Sequence, residues 1–382
     1  MRPKILVSAG EASGDLYASQ LVTAVKALHP DADFFGCTGP KLRDTGVRQI
    51  VDAGSLGVVG LIEVVHHIPR IWGEFRKLVR SAEKERPDLA ILTDSPDFNL
   101  RVARKLHKLG IPVIYLIAPQ VWAWREGRVR QMRRNLACVL CIFPFEESYF
   151  ESHGVPATYI GHPLTWTVRP SISKAEFCRK HGIDETKPIV ALLPGSRVGE
   201  VARHLPAVSD AARRIRDKTD ASIVLATPLQ FTRNAGSSFF GERIGGSSIQ
   251  VIEGETSDTL AHADVAIAAS GTVTIEAAIL GTPMVTFYKV TPLSWTLGRF
   301  LVRVPFYSMV NLVAGRRIVS ELMQDQVTGE NLAAEAIRLL EDAGTRSEMK
   351  QALAEVAAKL ASPEHPMDRA ARIVSEYLKP EK

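Results

Sequence analysis

Short apolar runs, glycine- or proline-rich turns and helical patterns follow one another repeatedly along this chain. The apolar runs are nearly continuous rather than alternating, which is typical of parallel strands covered on both faces. Helical patterns of 12 to 20 residues separate many of them, and this order predicts α/β doubly wound sheets. The nine apolar runs are 5–9, 89–93, 113–117, 138–143, 189–193, 223–226, 250–252, 265–268 and 284–288.

The series is interrupted once, between Gly161-His162-Pro163 and Lys187-Pro188. At 382 residues the chain is long enough for two or three domains. We therefore predict two Rossmann-like domains, 1–165 and 166–344, whose strand ends face a common ligand cleft. Only helical patterns follow Thr328, and residues 345–382 should form a helical segment that packs back on the first domain or on a partner subunit.

Composition narrows the class of protein. Hydrophobic residues make up 46% and charged residues 23%, which excludes a disordered chain, a coiled coil and collagen. No apolar stretch reaches the roughly 18 residues of a transmembrane helix, and no signal peptide is recognisable, so we expect a cytoplasmic protein. The four cysteines suit a reducing compartment, and Cys138-x-x-Cys141 lies within an apolar run, which predicts core cysteines rather than a metal or redox site.

The net charge is +5, and the first 165 residues carry 21 Lys and Arg against 17 Asp and Glu. This excess suits an anionic membrane or a phosphate-bearing ligand and is too small to indicate nucleic acid. A cluster of arginines follows two tryptophans, yet no nucleic-acid-binding motif accompanies it. The cluster consists of Arg125, Arg128, Arg130, Arg133 and Arg134.

A turn in the second domain has the chemistry of an anion site. Pro194-Gly-Ser-Arg197 links an apolar run to a helix, and free N–H groups at a helix start attract anions. Arg197 adds a planar fork suited to phosphate. We expect a contact to a nucleotide diphosphate, the alternative being an ordinary turn with a solvated arginine.

A second turn follows the run 265–268. Ser270 is expected to cap the next helix, and Gly271 would let the backbone approach a ligand. Thr272 and Glu276 are four residues apart and share a helix face. Glu276 would hold ribose hydroxyls, unless it only complements the helix dipole.

The first domain carries acidic turns instead. Gly10-Glu-Ala-Ser-Gly-Asp15 is neither a dinucleotide fingerprint nor a P-loop, and Glu11 and Asp15 would oppose a phosphate cradle. Sugar hydroxyls suit it better, although Asp15 would also serve as a helix cap. In Asp94-Ser-Pro-Asp97-Phe-Asn99 we expect Asp97 to act as a general base, the alternative again being a helix cap.

Two further segments are candidates for contacts. Pro119-Gln120-Val-Trp122-Ala-Trp124 would present an apolar platform at a strand end. An apolar stripe at helical spacing, interleaved with basic residues, suits a membrane interface or the protein core. Its members include Ile68, Ile71, Trp72 and Phe75. The histidines form no metal-binding motif, and we predict no metal.

Seven segments, taken in order, resemble bacterial lipid-A-disaccharide synthases. The resemblance runs from about Lys4 to the carboxyl end and implies a GT-B fold, two Rossmann-like domains facing a central cleft, with a helical carboxyl-terminal segment. The segments are 10–15, 94–99, 119–124, 161–163, 194–197, Ser270-Gly-Thr272 with Glu276, and Tyr307-Ser-Met-Val-Asn311.

The resemblance implies an inverting, metal-independent glycosyltransferase that uses no cofactor. It would join UDP-2,3-diacylglucosamine to 2,3-diacylglucosamine 1-phosphate (lipid X), giving a β-1,6-linked disaccharide 1-phosphate and UDP. Such an enzyme would lie peripherally on the inner face of the cytoplasmic membrane and form a homodimer through its carboxyl-terminal segment.

The resemblance also implies residue roles. Asp97 would accept the proton of the acceptor 6-hydroxyl, and Glu11 matches a second important acidic position. The donor side would comprise Arg197, Ser270, Gly271, Thr272, Glu276 and Asn311. The acceptor side would comprise Ser13, Asp15, Asp94, Asn99, Gln120 and Trp122.

Two other functions are compatible with parts of the pattern. One is another GT-B UDP-sugar transferase or epimerase, against which the acidic turns 10–15 and 94–99 argue. The other is a non-catalytic, membrane-surface nucleotide-binding module, which would bind UDP without turnover.

Overall fold

The structure is a computed structural model of the chain. It describes residues 2–56, 61–124, 126–229, 231–236, 238–244, 249–292, 295–296, 298 and 304–378, with the backbone alone for 61–67, 242 and 243. The chain divides into two compact units. One is Met1–Pro163 together with Ser362–Lys382, and the other is Leu164–Ala361.

Parallel strands form the sheet of the first unit. Across the sheet their order is β3-β2-β1-β4-β5-β6-β7. The order reverses between β1 and β4, so the loops after these two strands border the crevice where ligands bind in such sheets. Within the described residues the strands are β1 (Lys4–Ala9), β2 (Asp33–Thr38), β3 (Arg48–Asp52), β4 (Leu89–Thr93), β5 (Val113–Leu116), β6 (Cys138–Cys141) and β7 (Ala157–Tyr159).

Amphipathic helices cover this sheet. One apolar core forms where Phe75, Leu106 and Met132 pack against the strands. The described helices are α1 (Ala12–Leu28), α2 (Pro40–Asp44), α3 (Leu61–Glu85), α4 (Pro96–Lys108), α5 (Val129–Asn135), α6 (Pro144–Ser152) and, after the second unit, α17 (Pro366–Leu378).

The second unit repeats this architecture. Its strand order is β10-β9-β8-β11-β12-β13, all parallel, and the reversal lies between β8 and β11. The central strands are buried along their whole length, as their continuous apolar sequences predict. In the part that the structure describes they are β8 (Ile189–Leu193), β9 (Ser222–Thr227), β10 (Gln250–Glu253), β11 (Val265–Ala269), β12 (Met284–Tyr288) and β13 (Ser320–Met323).

Helices connect these strands and close the unit. The longest, α9, buries one apolar stripe and leaves its polar face in solvent. The described helices are α7 (Leu164–Thr167), α8 (Lys174–His181), α9 (Val198–Lys218), α10 (Phe231–Ala235), α11 (Gly241–Ile244), α12 (Thr256–His262), α13 (Thr272–Ile279), α14 (Met309–Ala314), α15 (Gly329–Glu341) and α16 (Ala343–Leu360).

All nine predicted apolar runs are strands, and β2, β3, β7 and β13 lie outside them. Strands β3, β7 and β13 are edge strands with partly exposed side chains, so they do not need a continuous apolar sequence. Cys138 and Cys141 both lie in β6, buried and without a disulfide.

The predicted carboxyl-terminal segment 345–382 is divided between the two units, at Ala361 and Ser362. Helix α16 buries Leu353 and Val356 and packs against α13 and α14 in the second unit. Helix α17 packs along α1 in the first unit, where Ser375 Oγ lies 2.9 Å from His29 Nε2. The reason for the division is that each helix buries a different apolar stripe. No helix in the described part of the chain is both long enough and apolar enough to span a membrane.

Gly36 gives a test of the sheet geometry. Its φ is +154°, the register of β2 against β3 shifts beside it, and an added Cβ would fall onto the Val7 carbonyl oxygen. We predict that Gly36→Ala lowers the free energy of unfolding by about 3 kcal/mol or more, because the backbones of β1 and β2 must separate. Chemical denaturation measures this effect.

Gly73→Ala is the matched control. Gly73 lies within α3 and an added Cβ meets nothing within 4 Å, so this change should stabilise the protein by about 0.5–1 kcal/mol. Equal stability of the two variants would contradict the close approach of β1 and β2.

Candidate active site

In the first unit, the Asp94 carboxylate connects the two loops at the strand-order reversal. It accepts hydrogen bonds from the backbone N–H groups of Gly10, at 2.7 Å, and of Glu11, at 3.1 Å. Burial raises the pKa of Asp94 to about 7, against these two stabilising bonds. The acidic turns 10–15 and 94–99 are therefore one assembly.

Asp94 and Ser95 both have positive φ, 49° and 37°, which is costly for residues other than glycine. Neighbouring side chains hold this backbone in place. Tyr115 Oη and Asn99 Nδ2 donate to the Asp94 carbonyl, and Asn99 Nδ2 also donates to the Thr93 carbonyl at 2.7 Å. Asn99 is fully buried, so its role in this structure is to position the Asp94 loop.

The close contact between the β1 loop and the β4 loop requires glycine at two positions of the turn 10–15. A Cβ on Gly10 would overlap the Ser95 side chain, and one on Gly14 would overlap the Asp94 carboxylate. Between them, Ser13 is exposed on the first turn of α1. The glycines thus allow the β1 loop to lie directly on the β4 loop.

Asp15 has a structural role that differs from both interpretations of its sequence. Its buried carboxylate accepts hydrogen bonds from the amides of Gly39, at 2.8 Å, Lys41, at 2.8 Å, and Leu42, at 3.2 Å. It therefore caps α2 rather than α1, whose N-cap position is Glu11. Because it is buried and accepts these three hydrogen bonds, the Asp15 carboxylate is not placed to bind an acceptor sugar.

Asp97 lies in the first turn of α4 and does not cap it. Ser95 holds the N-cap position, and the Asp97 carboxylate forms an ion pair with Arg128 Nη2. The Asp97 side chain is 73% exposed, whereas Arg128 is only 15% exposed. The Arg128 guanidinium lies 5.9 Å from the centre of the Trp124 ring. Arg125, predicted in the same arginine cluster, lies outside the described residues.

A cavity of about 480 Å³ opens beside these carboxylates. Glu11, Asp97 and Arg101 form its polar rim. Its apolar wall contains four residues of the predicted stripe, together with Leu56 and Phe98, and the four are Ile68, Ile71, Trp72 and Phe75.

The stripe is divided by exposure. Ile68 and Trp72 are 54% and 43% exposed, whereas Phe75 is 6% exposed and stacks on Trp72 with ring centres 4.9 Å apart. Phe75 belongs to the core, as one interpretation predicted. The outer residues face solvent and the cavity.

Glu146, which the sequence analysis did not identify, holds the turn 119–124 in place through Trp122. Trp122 Nε1 donates to Glu146 Oε1 at 3.0 Å, and the Phe143 amide donates to Glu146 Oε2 at 3.2 Å. Glu146 is fully buried, and burial raises its pKa to about 7. Gln120 is exposed on this turn. The only sequence signal for Glu146 is its place in the first turn of α6.

In the second unit, a cavity of about 300 Å³ lies at the reversal between β8 and β11. It brings together five of the six predicted donor-side residues. Gly195 and Ser196 from the turn before α9, and Glu200 from the first turn of α9, also line it. The five are Arg197, Ser270, Gly271, Thr272 and Glu276. Burial raises the pKa of Glu276.

The turn before α9 is held in place by Glu200 and by the buried His204. Gly195 has φ +125°, and a Cβ there would press on the Glu200 carboxylate, which accepts a hydrogen bond from the Ser196 amide at 3.1 Å. His204 is fully buried, and its Nδ1 lies 2.7 Å from the Pro194 carbonyl oxygen. These contacts fix the turn that presents Arg197 to the cavity.

The sequence predicted Ser270 as the N-cap of α13, and this prediction is wrong. Gly271 holds the N-cap position with an extended backbone. Ser270 instead donates from its hydroxyl to the Tyr307 carbonyl at 3.1 Å. The reason is that the chain continues straight beyond β11 for one more residue, and Ser270 N bonds to the Phe287 carbonyl.

Asn311, predicted on the donor side, is buried, and its side-chain amide makes four hydrogen bonds within the second unit. Its Oδ1 accepts from the amides of Ile318 and Val319, and its Nδ2 donates to the Val319 carbonyl and to Glu321. Glu321 in turn accepts from the Tyr307 and Ser308 amides. Asn311 therefore holds the segment that Ser270 contacts and lies outside the residues that line the cavity.

The chain matches one protein family along nearly its whole length. The sequence profile of the family described as lipid-A-disaccharide synthetase matches residues 5–373. The chain belongs to the lipid-A-disaccharide synthetase family. A lipid-A-disaccharide synthase of Solibacter usitatus is 62% identical over 376 residues, 98% of each chain. One from Acidobacterium capsulatum is 43% identical over 94% of this chain and 92% of its own. The predicted family is confirmed.

Solved structures share the fold at low sequence identity. A Staphylococcus aureus MnaA–UDP structure has a TM-score of 0.67 at 13% identity, covering 98% of this chain and 97% of its own. The glycotransferase of kitacinnamycin has a TM-score of 0.64 at 16% identity, covering 99% of this chain and 100% of its own. These likenesses concern the fold alone, and the predicted GT-B fold is confirmed. Among the described side chains, no three potential metal ligands are grouped.

The buried Glu146 predicts a pH dependence of stability. Its folded pKa of about 7 lies above the value of about 4.3 in an unfolded chain. The native state therefore binds more protons within this window, and stability falls as the pH rises through it. Glu146→Gln should remove on the order of 3 kcal/mol of that decline.

Urea unfolding of the wild type and Glu146→Gln between pH 5 and pH 8 measures this slope. Comparing slopes rather than stabilities at one pH separates titration from the constant cost of the altered hydrogen bond to Trp122. Identical slopes would contradict a buried, protonatable carboxylate at this position.

Proposed function

We propose that the chain transfers the diacylglucosaminyl group of UDP-2,3-diacylglucosamine to the 6-hydroxyl of 2,3-diacylglucosamine 1-phosphate, releasing UDP. The observation that carries the proposal, within this family, is the cavity beside Asp97. It combines two carboxylates, which suit sugar hydroxyls, with an apolar wall, which suits acyl chains. A substrate with both parts is an acylated sugar.

Asp97 is the proposed general base. As the acceptor O6 forms its bond to C1 of the donor sugar, the O6 proton passes to the Asp97 carboxylate. The C1–O bond to the diphosphate breaks, and its electron pair leaves with UDP. Attack opposite the leaving group inverts C1 and gives the β-1,6 linkage. The exposed Asp97 side chain at the cavity rim is accessible to such a hydroxyl.

Glu11 is the second proposed catalytic carboxylate. Its backbone is fixed by Asp94, and its side chain stands on the rim of the same cavity. This position suits hydrogen bonds to other hydroxyls of the acceptor, which orient the sugar for attack. Ser13, Gln120 and Trp122 remain proposed acceptor contacts.

The donor side is proposed at the cavity of the second unit. Arg197 would pair with the diphosphate and stabilise the charge that develops on UDP as it leaves. The amino-terminal end of α13, at Gly271 and Thr272, supports the same charge. Glu276 is desolvated and lines the cavity, so ribose hydroxyls would supply the hydrogen bonds that its carboxylate needs.

Peripheral binding to the cytoplasmic face of an anionic membrane is also proposed. Ile68 and Trp72 are exposed, and Arg70, Arg76 and Lys77 around them are exposed too. Apolar side chains with a basic rim favour a membrane interface, where acylated substrates reside. The homodimer through the carboxyl-terminal segment stays a prediction.

A product assay tests the function and the base together. With the two acylated substrates alone, the wild type should form disaccharide 1-phosphate and UDP, resolved by thin-layer chromatography. Asp97→Asn should lower kcat by about 10²–10⁴, the typical contribution of a general base, with UDP binding nearly unchanged.

Glu11→Gln is the matched variant, because it neutralises the other carboxylate of the same rim. It should raise KM for the acceptor more than it lowers kcat. A reversed pattern would assign the base to Glu11. A wild type that binds UDP and forms no product would favour the nucleotide-binding module, and turnover of unacylated UDP-sugars alone would favour another transferase or an epimerase.

The donor site is tested by Arg197→Ala. Loss of charge-assisted hydrogen bonds to the diphosphate should weaken UDP binding about 10- to 100-fold in titration calorimetry. Arg216→Ala, in the last turn of the same helix, should leave UDP affinity at the wild-type value. Equal affinities for the wild type and Arg197→Ala would show that this turn does not contact the diphosphate.

A further inference from the structure

Arg128 is paired with the proposed base. Its Nη2 is paired with Asp97 Oδ1. The pair is asymmetric, because the carboxylate is mostly exposed and the guanidinium is mostly covered. Arg128 ends a 3-10 turn, Glu126–Arg128, that leads into α5, and its guanidinium lies near the ring of Trp124.

This ion pair opposes the proposed reaction while it lasts. Arg128 occupies one of the two Asp97 oxygens that an acceptor hydroxyl would approach. An ordinary exposed ion pair contributes little to stability, so the pair alone gives the fold a small advantage. The ion pair is compatible with the reaction if another anion binds the guanidinium when the acceptor enters the cavity.

We propose that Arg128 binds the phosphate of the acceptor sugar and exchanges Asp97 for it. The inference rests on the proposed function, in which one sugar carries both the attacking hydroxyl and a phosphate. A guanidinium is a fork that fits phosphate oxygens, and a phosphate offers it more charge than a carboxylate does. Binding of the phosphate at Arg128 frees Asp97 Oδ1 for the hydroxyl of the same sugar.

The surroundings of Arg128 suit a fixed anion site. Its position over the Trp124 ring, 5.9 Å from the ring centre, limits the freedom that the side chain must lose on binding. Trp124 belongs to the turn that Glu146 anchors through Trp122. Arg101 lines the cavity beside Asp97, and it is exposed and therefore less pre-organised than Arg128.

Selectivity for a phosphorylated acceptor follows from this exchange. A diacylglucosamine without phosphate would enter the apolar cavity and leave Arg128 paired with Asp97 Oδ1, so the charge of the base would stay partly neutralised. Recognition of the phosphate and release of the base are then one event. The preference should appear in kcat/KM and depend on the guanidinium.

The experiment compares two acceptors, 2,3-diacylglucosamine 1-phosphate and 2,3-diacylglucosamine, with the same donor. In the wild type kcat/KM should favour the phosphorylated acceptor. In Arg128→Gln this preference should fall about 10- to 100-fold, as expected for the loss of charge-assisted hydrogen bonds. Arg128→Lys retains the charge without the fork and should keep part of the preference. UDP affinity should not change in either variant.

Arg101→Gln is the matched control and should keep the wild-type preference. A wild-type preference in Arg128→Gln would overturn the inference alone, and so would its loss in Arg101→Gln instead. If Arg128→Gln does not fold, an unaltered preference in Arg128→Lys overturns it equally. A wild type that forms no disaccharide from either acceptor would overturn the proposed function, and this inference with it.

Discussion

The proposed acceptor side depends on one partly buried carboxylate. Asp94 receives two backbone amides from the β1 loop while its own backbone is held in a strained conformation by Asn99 and Tyr115. Removing an oxygen from this position would leave a buried amide unpaired, which is more costly than losing an ordinary hydrogen bond. Because Glu11 and Asp97 flank these contacts, the geometry of both rim carboxylates depends on Asp94.

The two units have the same topology and opposite chemistry at the strand-order reversal. The first unit places carboxylates there, supported by an apolar wall. The second places an arginine and two helix amino ends there, and its turn is fixed by His204 and Glu200. The two cavities therefore differ in charge, as the proposed binding of an acylated sugar in one unit and a nucleotide diphosphate in the other requires, although the sheets that carry them are alike.

The sequence predicted the strands and the turns that matter, because both follow from local patterns. Apolar runs identify buried strands, and the loops at a reversal of strand order are known once the order is. The roles of Asp15 and Asn311 were not predictable, since each bonds to backbone that is distant in sequence or hidden by the fold. Glu146 and Arg128 act on residues 24 and 31 positions away, which no periodicity reports.

Helix α17 makes the first unit discontinuous in sequence. The chain leaves this unit at Pro163, completes the whole of the second, and returns at Ser362 to pack along α1. During synthesis, the surface of α1 that α17 covers stays exposed until α17 has emerged from the ribosome. The first unit is thus completed only after the second has been made, and a truncation that removes α17 would damage the unit that contains α1.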